Sequence, residues 1–307
     1  MTASVRSRPS RLLPLRLGTR GSALALAQAR WVADRLDDEA ELVTITTSGD
    51  RGAREDKSRF VKEIEQALLA GDIDLGVHSA KDVPGQLPDG LSIVGVPERA
   101  DPYDALCGAA SLGSLGPGAI VGTASLRRRA ELLALRADLD VRELRGNVDT
   151  RLRRLGDGDF DAIVLARAGL ERLGCAAEGE PLPELVPAPG QGCLALAARA
   201  GDAAAAAAAA RLTDRAALTA LTAERALVTA LEATCHTPVG AHADERDGAL
   251  RLVAFVGLPD GSHWIRDELD GPPDEPAALG RAVAERLEAA GARELLEQAE
   301  RAELDVR

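Results

Sequence analysis

Residues 119–166 read AIVGTASLRRRAELLALRADLDVRELRGNVDTRLRRLGDGDFDAIVLA, and this stretch decides the fold class. In it, short β-rich runs alternate with segments whose apolar residues recur at helical spacing. The strands are predicted at 119–122, 140–144 and 161–166, and the helices at 125–135 and 148–155. Such alternation is typical of α/β proteins, in which helices connect the strands of a sheet. We therefore predict an α/β fold.

The same pattern extends toward both ends of the chain. Further strands are predicted at 41–47, 73–77 and 91–96, and further helices at 22–36, 59–69 and 168–173. A Pro-rich stretch at 181–189 interrupts the pattern, and the alanine run 203–210 predicts a helix because alanine has the highest helix propensity. After residue 250, two strands (250–257 and 263–269) precede two helices (277–289 and 293–302), which predicts a small separate α+β domain.

The composition indicates a globular protein of several domains. The chain has 307 residues, enough for two or three domains that each bury a core. Its 46% hydrophobic and 28% charged residues fit neither the disordered nor the membrane class. A net charge of −12 and an aromatic content of 2% weigh against binding to nucleic acid or to anionic membranes. We expect neither kind of partner.

The cysteines and the N-terminal segment indicate the compartment. Cys107, Cys175, Cys193 and Cys235 form no CxxC pair and no cluster with histidine, so we expect neither a metal site nor a disulfide framework. The only apolar stretch near the N terminus, residues 12–15, contains a proline and cannot form a signal-peptide core. No apolar run reaches the roughly 18 residues that a membrane span requires. We therefore expect a cytoplasmic protein.

Polar residues follow two strands in the first third of the chain. The segment GTRGS at 18–22 reads as a strand end followed by a helix whose N-cap is Ser22, and its backbone N–H groups with Arg20 suit a carboxylate or phosphate. Taken alone, it is better explained as an ordinary capped helix with a surface arginine. The segment VHSAKDVP at 77–84 places four polar side chains directly after a buried strand, which favours a functional site. Asp82 is the candidate for its key carboxylate.

Two later strand-to-helix junctions combine hydroxyl groups with arginines, GTASLRRR at 122–129 and LRGNVDTR at 144–151. Between residues 121 and 172, eleven arginines stand against nine acidic residues. Helix N-termini and guanidinium groups both bind carboxylates, so their repetition on neighbouring strands predicts a polycarboxylate ligand. Arg172 is a further candidate, whereas Arg129, Arg153 and Arg154 are expected on solvated helix faces.

Cys235 follows a long helical pattern, in the segment LEATCHTPVG at 231–240, on what we expect to be an exposed loop. An accessible cysteine thiolate is a good nucleophile, although most free cysteines are partly buried small residues. A protease-like pair with His236 is a further alternative. Adjacent side chains rarely point at each other, however, and no third group that would orient the histidine is evident.

Taken together, these segments closely resemble the hydroxymethylbilane synthase (porphobilinogen deaminase) family. The similar motifs occur in the family's order: TRGSALALAQA at 19–29, FVKEIEQALL at 60–69, DLGVHSAKDVP at 74–84, ERADPYDAL at 98–106, VGTASLRR at 121–128, LRGNVDTRL at 144–152, DAIVLARAGLERLG at 161–174, PAPGQG at 187–192 and ERALVTALEATCHTPVGA at 224–241. Because many long motifs keep their spacing over roughly residues 15–245, chance does not explain the match.

The resemblance implies a fold of three α/β domains. Domain 1 is expected at 14–97 with 193–212, and domain 2 at 98–190. These two are expected to resemble type II periplasmic-binding-protein lobes around a cleft, with a crossover near Gly190 that returns the chain to domain 1. Domain 3, at 215–307, is expected to be a small α+β domain that carries the cofactor cysteine. Residues 1–13 are expected to form a disordered extension.

The resemblance also implies a reaction. The expected enzyme is a transferase that joins four porphobilinogen molecules, releases one ammonia per unit, and finally hydrolyses the linear tetrapyrrole hydroxymethylbilane from its primer. The primer is a dipyrromethane cofactor, attached by a thioether to the residue that corresponds to Cys235. The family also implies a monomer that can hand its product to uroporphyrinogen III synthase.

The resemblance assigns roles to individual residues. Asp82 matches the catalytic aspartate, which stabilises the positive charge that develops on a pyrrole nitrogen as ammonia leaves. Besides Cys235 and Asp82, the expected cofactor-binding residues are Lys81, Thr123, Ser125, Arg127, Arg128, Arg145 and Gly146. The expected substrate-binding residues are Arg20, Ser22, Lys57, His78, Ser79, Arg145, Arg151, Arg172 and Gln191.

One segment departs from the family's pattern, and one other class of function stays open. The loop at 51–59 is shorter than usual; Lys57 matches one of two family lysines, and the other is missing or replaced by Arg54. If this loop is a lid over the cleft, the departure affects its gating. The alternative to the enzyme is a binding module that captures a small polycarboxylate. A covalent adduct on Cys235 would distinguish the two.

Overall fold

The computed structural model describes residues 14–36, 39–46, 61–234 and 237–305. Its strands are β1 (Leu15–Arg20), β2 (Ala40–Ile45), β3 (Leu75–Ser79), β4 (Leu91–Gly95), β5 (Asp104–Cys107), β6 (Ile120–Gly122), β7 (Asp140–Arg142), β8 (Ala162–Ala166), β9 (Glu180–Leu182), β10 (Leu194–Arg199), β11 (Val239–Arg246), β12 (Ala249–Gly257) and β13 (Trp264–Gly271). Its helices are α1 (Ala23–Ala33), α2 (Lys62–Ala70), α3 (Leu126–Leu135), α4 (Val148–Gly156), α5 (Arg167–Arg172), α6 (Ala203–Leu212), α7 (Arg215–Ala230), α8 (Pro276–Ala289) and α9 (Ala292–Asp305).

Two five-stranded sheets share one topology. Their strand orders are β2-β1-β3-β10-β4 and β7-β6-β8-β5-β9. In each sheet one inner strand, β10 or β5, runs antiparallel to both of its neighbours. These two strands are the first that form after the chain crosses from one sheet to the other. The sheets are therefore joined by two crossover segments, 96–103 and 183–193, which pass between them side by side.

The third sheet, β11-β12-β13, is antiparallel throughout. Its core is formed by buried residues of β11 and β12 packed against helices α7, α8 and α9, with Leu227, Leu252 and Val283 fully buried at its centre. This arrangement confirms the predicted architecture of two α/β units followed by a small α+β unit. The exact domain limits proposed from the sequence stay a prediction.

Local signals in the sequence account for most of the elements. Ser22 caps α1 by accepting a hydrogen bond from the Ala25 N–H at 3.3 Å, as predicted. The alanine run forms α6, whose N-cap Asp202 accepts from the Ala205 N–H at 3.0 Å. Among the described residues, no helix combines the length and apolar character needed to cross a membrane. The predicted N-terminal extension 1–13 and the loop 51–59 lie outside the described residues.

Glu224 on α7 ties the three units together. Its fully buried carboxylate accepts a hydrogen bond from Arg99 Nη1 at 2.6 Å, from the Gly190 N–H at 2.6 Å and from the Ala243 N–H at 2.8 Å. Arg99 lies on the first crossover, Gly190 on the second, and Ala243 on β11. Burial opposes ionisation of Glu224, but the attraction of Arg99 and the hydrogen bonds outweigh it and lower its pKa to about 2.

We expect Glu224→Gln to lower the free energy of unfolding by about 3–5 kcal/mol, because the substitution leaves the buried Arg99 charge without its counter-ion. Thermal unfolding of the two proteins measures the difference. The folded-state pKa of Glu224 lies below its ordinary value of 4.5, so its charge stabilises the fold above that pH and the contribution is lost as the pH falls toward 2. Glu285→Gln, at an exposed position on α8, is the control. An unchanged melting temperature for Glu224→Gln would contradict this account.

Candidate functional site

A cavity of about 620 Å³ lies where the second crossover, the first two sheets and α7 meet. We call it the central cavity. Its walls come from the carboxyl ends of β1 and β3, from the N-terminal ends of α3 and α4, from the second crossover, and from α7 with the segments 233–234 and 237–239. Residues from all three units therefore face one space.

The wall on the first sheet carries the predicted carboxylate. β3 ends at Ser79, and a single 3-10 turn, Ala80–Asp82, follows it. Ala80 is buried, whereas Asp82 is half-buried and lines the central cavity beside Lys81 and Arg20. Lys81 Nζ donates a hydrogen bond to Gln191 Oε1 at 3.1 Å, and Gln191 also lines the cavity. The predicted residues Arg20, Lys81, Asp82 and Gln191 are thus brought together.

Three other predicted residues of this region do not line the cavity. His78 is 5% exposed, and burial lowers its pKa to about 4 although Asp82 favours its cation. Its Nε2 has no hydrogen-bond partner in the part of the chain that the structure describes. Ser79 Oγ exchanges hydrogen bonds with the Gln28 side chain at 2.9 and 3.3 Å, and Ser22 caps α1. Their assigned roles in substrate binding stay predictions.

The wall on the second sheet holds a buried ion-pair network at the start of α3. Asp104 pairs with Arg127 Nη2 and with Arg128 Nη2, each at 2.7 Å, and Gln191 Nε2 donates to the same carboxylate at 2.8 Å. Arg127 Nη1 also pairs with Glu131 at 2.7 Å. Burial opposes the charge on Asp104, but the two arginines overcome it and hold its pKa far below the ordinary value. Burial raises the pKa of Glu131 to about 7.

This network leaves donors for a ligand. Arg127 and Arg128 are only 3% and 5% exposed, yet both line the central cavity. Arg127 Nε is buried and has no hydrogen-bond partner among the described residues. Ser125, which also lines the cavity, caps α3 by accepting from the Arg128 N–H at 3.4 Å. Thr123 lies behind it, buried, and accepts from the Ser125 N–H at 3.2 Å.

The junction before α4 brings Gly146 and Arg151 into the cavity wall but leaves Arg145 outside it. Gly146 has φ +115°, a conformation that favours glycine. Arg151 Nε donates to the Gly146 carbonyl at 2.7 Å, and burial, together with repulsion from Arg128, lowers the pKa of Arg151 to about 10. Arg145 is exposed and pairs with Glu143 at 2.6 Å. The roles assigned to Arg145 stay predictions.

Arg172 also lies outside the cavity wall, at the end of α5. Its Nη2 donates to the Gly192 carbonyl on the second crossover at 2.8 Å. Burial lowers the pKa of Arg172. The position next to the crossover shows that this side chain contacts the segment that carries Gln191, whereas its predicted role in substrate binding stays a prediction.

Cys235 and Lys57 lie outside the described residues, but the residues around Cys235 are informative. Thr234 and Thr237, on either side of it in the chain, both line the central cavity. The Thr234 N–H donates to Thr237 Oγ1 at 2.9 Å, and that hydroxyl donates to the Thr234 carbonyl at 2.6 Å. Described residues on both sides of position 235 in the chain therefore line the same cavity as Asp82.

Asn147 and Arg225 are among the cavity residues for which no role was predicted. Asn147 lies at the N-cap of α4, and Arg225 projects from α7. Both fall inside segments that resemble the family, but Arg225 lies in the middle of a helix rather than at a strand-to-helix turn. The rule that polar turns mark a site could not find it.

The chemistry of the cavity wall favours an anionic ligand. Among the described residues, no carboxylate pairs with Arg151, and burial lowers the pKa of its guanidinium group. The first turns of α3 and α4 add backbone N–H groups that helix N-termini leave for an acceptor. A ligand with several carboxylates would neutralise these groups and accept from Arg127 Nε. Of the described residues that line the cavity, five are arginines, one is a lysine and one, Asp82, is acidic.

Comparisons with known proteins show the family of this chain. Residues 15–207 match the family model for the porphobilinogen deaminase dipyromethane cofactor binding domain, and residues 218–289 match that for the porphobilinogen deaminase C-terminal domain. Two porphobilinogen deaminases, from Thermus thermophilus and Thiobacillus denitrificans, are 48% and 44% identical to this chain, and each match covers 92% of this chain and 98% of the relative. A periplasmic substrate-binding protein from Coxiella burnetii is similar in structure, with 16% identity, a TM-score of 0.41 and coverage of 67% of this chain and 94% of that one. On the two family models and the two relatives, this chain belongs to the porphobilinogen deaminase family.

Proposed function

We propose that the central cavity is where this chain condenses four porphobilinogen molecules, head to tail, on a dipyrromethane primer bound through a thioether to Cys235. Water then releases the linear tetrapyrrole hydroxymethylbilane. One observation carries the assignment of this site: Asp82, the arginines of α3 and α4, and the residues on either side of position 235 line the same cavity.

The described residues fit a primer that bears several carboxylates. Arg127 Nε is a buried donor without a partner among them, and Arg151 is a half-buried cation without a carboxylate partner there. We assign Ser125, Arg127, Arg128 and Gly146 to binding of the primer, with Lys81, Thr123 and Arg145 as further candidates. When bound, the dipyrromethane supplies the unsubstituted pyrrole carbon to which the first substrate is joined.

Asp82 stabilises the positive charge that develops on the pyrrole nitrogen of the substrate as ammonia departs. A carboxylate fixed at the cavity wall is already oriented when the charge appears, so no solvent reorganisation is needed. One well-placed electrostatic group of this kind is worth about 3 kcal/mol of transition-state stabilisation. The 3-10 turn after β3 gives Asp82 this fixed position.

The arginines offset the repulsion among the carboxylates of the growing chain. Each pyrrole brings an acetate and a propionate, and two such charges at 4 Å repel by about 4 kcal/mol at an intermediate dielectric. We assign Arg20, Arg151 and Gln191 to the substrate, with Ser22, Lys57, His78, Ser79, Arg145 and Arg172 as further candidates. An acidic protein with a net charge of −12 thereby keeps a basic cavity.

The setting of the enzyme completes the proposal. We infer a cytoplasmic monomer that hands hydroxymethylbilane to uroporphyrinogen III synthase, and the domain limits 14–97 with 193–212, 98–190 and 215–307.

Intact-mass spectrometry together with an ammonia assay tests the function. We expect the purified protein to exceed its polypeptide mass by one dipyrromethane, and to release four ammonia molecules for each tetrapyrrole when porphobilinogen is added. A bare polypeptide mass, with tight binding of a polycarboxylate and no ammonia release, would favour the binding module instead.

A further inference from the structure

Arg225 joins the third unit to the segment that follows Asp82. From the middle of α7, its Nη2 donates to the carbonyl oxygens of Pro84 and Gly85, both at 2.8 Å, and its Nη1 donates to that of Val83 at 3.4 Å. Three consecutive carbonyls, beginning one residue after Asp82, are therefore held by one guanidinium group. A planar group with several donors in a fixed arrangement suits this geometry, and a lysine could not reproduce it.

Packing supports the same contact. Ala80 and Val83, on either side of Asp82 in the chain, belong to a buried apolar cluster with Ala217 and Leu221 of α7. A Cβ atom built on Gly85 would lie 3.1 Å from Thr229 Oγ1, so this backbone lies directly against the helix. The turn that carries Asp82 thus rests on α7 along the length of the helix from Ala217 to Thr229.

The turn is also held from its other side. Lys81, the residue before Asp82, is hydrogen-bonded to Gln191 of the second crossover. Asp82 therefore lies between two tethers, one to the crossover and one to α7. The same helix α7 ends at Ala230 and leads, four residues later, to Thr234 and the position of Cys235.

We propose that Arg225 is a positioning residue that fixes the Asp82 carboxylate at the wall of the central cavity, because its guanidinium group holds the three carbonyls that follow Asp82. This inference rests on the proposed roles of Asp82 and Cys235. Its consequence is that loss of Arg225 displaces Asp82 from the reacting nitrogen without removing any residue assigned to the carboxylates of the substrate.

Steady-state kinetics of Arg225→Met and Arg225→Lys test the proposal in the holoenzyme. We expect kcat of Arg225→Met to fall by roughly ten- to a hundred-fold, because a displacement of about 1 Å at a reacting centre has effects of this size. KM for porphobilinogen should stay within about two-fold, since the ground-state contacts remain. The kcat of Arg225→Lys should lie between those of the parent and Arg225→Met, because the lysine ammonium group can reach one of the three carbonyls. Arg215→Ala, at an exposed arginine on the same helix, is the control and should match the parent.

A double-mutant cycle with Asp82→Glu gives a readout that a purely structural role would not affect. Asp82→Glu keeps a carboxylate but shifts it by one methylene. Because the carboxylate is then already displaced, loss of a residue that acts only by positioning it should have a smaller effect on kcat. We expect the fold-decrease in kcat caused by Arg225→Met to be at least three times smaller in the Asp82→Glu background than in the parent. Intact mass should show the primer adduct in every variant.

Three outcomes would overturn the inference. Additive effects in the cycle would show that Arg225 acts independently of Asp82, and a raised KM with unchanged kcat would make it a substrate-binding residue. A kcat of Arg225→Met and Arg225→Lys equal to that of the parent would remove its role. These results differ from failure of the proposed function itself, which would appear as full activity in Asp82→Asn or as the absence of an adduct in the parent protein.

Discussion

Asp82→Asn lowers kcat for ammonia release from porphobilinogen by about 10²- to 10³-fold, while the protein folds normally and keeps its primer. Asparagine has nearly the same shape but no charge, so the substrate's developing cation loses its fixed counter-charge, a loss of the size seen when one preorganised electrostatic group is removed. Folding should be unaffected because Asp82 is half-buried at the cavity wall and its neighbour Ala80, rather than Asp82 itself, is buried in the turn.

The measurement is a stopped-time ammonia assay with saturating porphobilinogen, together with intact mass and thermal unfolding. Asp89→Asn is a matched control, since Asp89 is an exposed aspartate a few residues further along the chain. Turnover of Asp82→Asn at the rate of the parent protein would remove Asp82 from the mechanism. A lowered melting temperature with lost activity would instead point to a structural role.

Cys235→Ser yields a protein with the bare polypeptide mass and no turnover. The serine hydroxyl is far less nucleophilic than a thiolate near neutral pH, so the primer does not attach. Without a covalent anchor the first condensation has no acceptor held in the cavity. Thr234 and Thr237, which flank this position in the chain, line the central cavity, as Asp82 does.

The other cysteines provide the controls. Cys107 and Cys193 are buried, and burial raises the pKa of their thiols to about 11 and about 12, so neither can supply a thiolate near neutral pH. Cys175 is half-buried and lies outside the central cavity. Its thiol contacts the Leu173 carbonyl at 3.6 Å. Cys175→Ser should keep the adduct and full activity. An adduct that persists in Cys235→Ser but disappears in Cys175→Ser would show that the primer is attached to Cys175 instead.

The elements that the sequence predicted are those with a strong local pattern. The strands and helices of 119–166 appear within about two residues of their predicted bounds, because alternation and helical periodicity are local properties of the chain. Ser22 and the alanine run were recognised for the same reason. β5 and β10 were missed. Both are short runs that are buried on both faces, so neither shows the alternation that distinguishes a strand.

β9 shows a different cause of error. It contains Pro181, and the Pro-rich stretch was interpreted as a break between elements. Proline is tolerated there because β9 is the edge strand of the second sheet, beside β5 alone. Whether a strand lies at an edge depends on the order of strands in the sheet, which no local pattern reveals.

In the candidate site too, the features predicted from the sequence are local ones, and those that were missed depend on packing. Asp82, Arg127, Arg128 and Arg151 were predicted as site residues because they stand at strand-to-helix turns, and they line the central cavity because such turns meet at one edge of a sheet. The sequence did not indicate that Arg127 and Arg128 share the buried Asp104. Nor did it indicate that Arg145 pairs with Glu143 outside the cavity. These outcomes depend on which side chains meet after the sheets have packed.

The sequence alone was enough to predict the α/β class, the small C-terminal unit, the polar turn at Asp82 and the arginine-rich junctions, because each depends on a few neighbouring residues. The packed fold was needed to show that β5 and β10 each run antiparallel to both neighbours in their sheets, that Glu224 binds both crossovers, and that Arg225 reaches the carbonyls of residues 83–85. The physical reason is separation along the chain: Arg225 and Gly85 are 140 residues apart, and their contact follows from the packing of whole units rather than from any local preference.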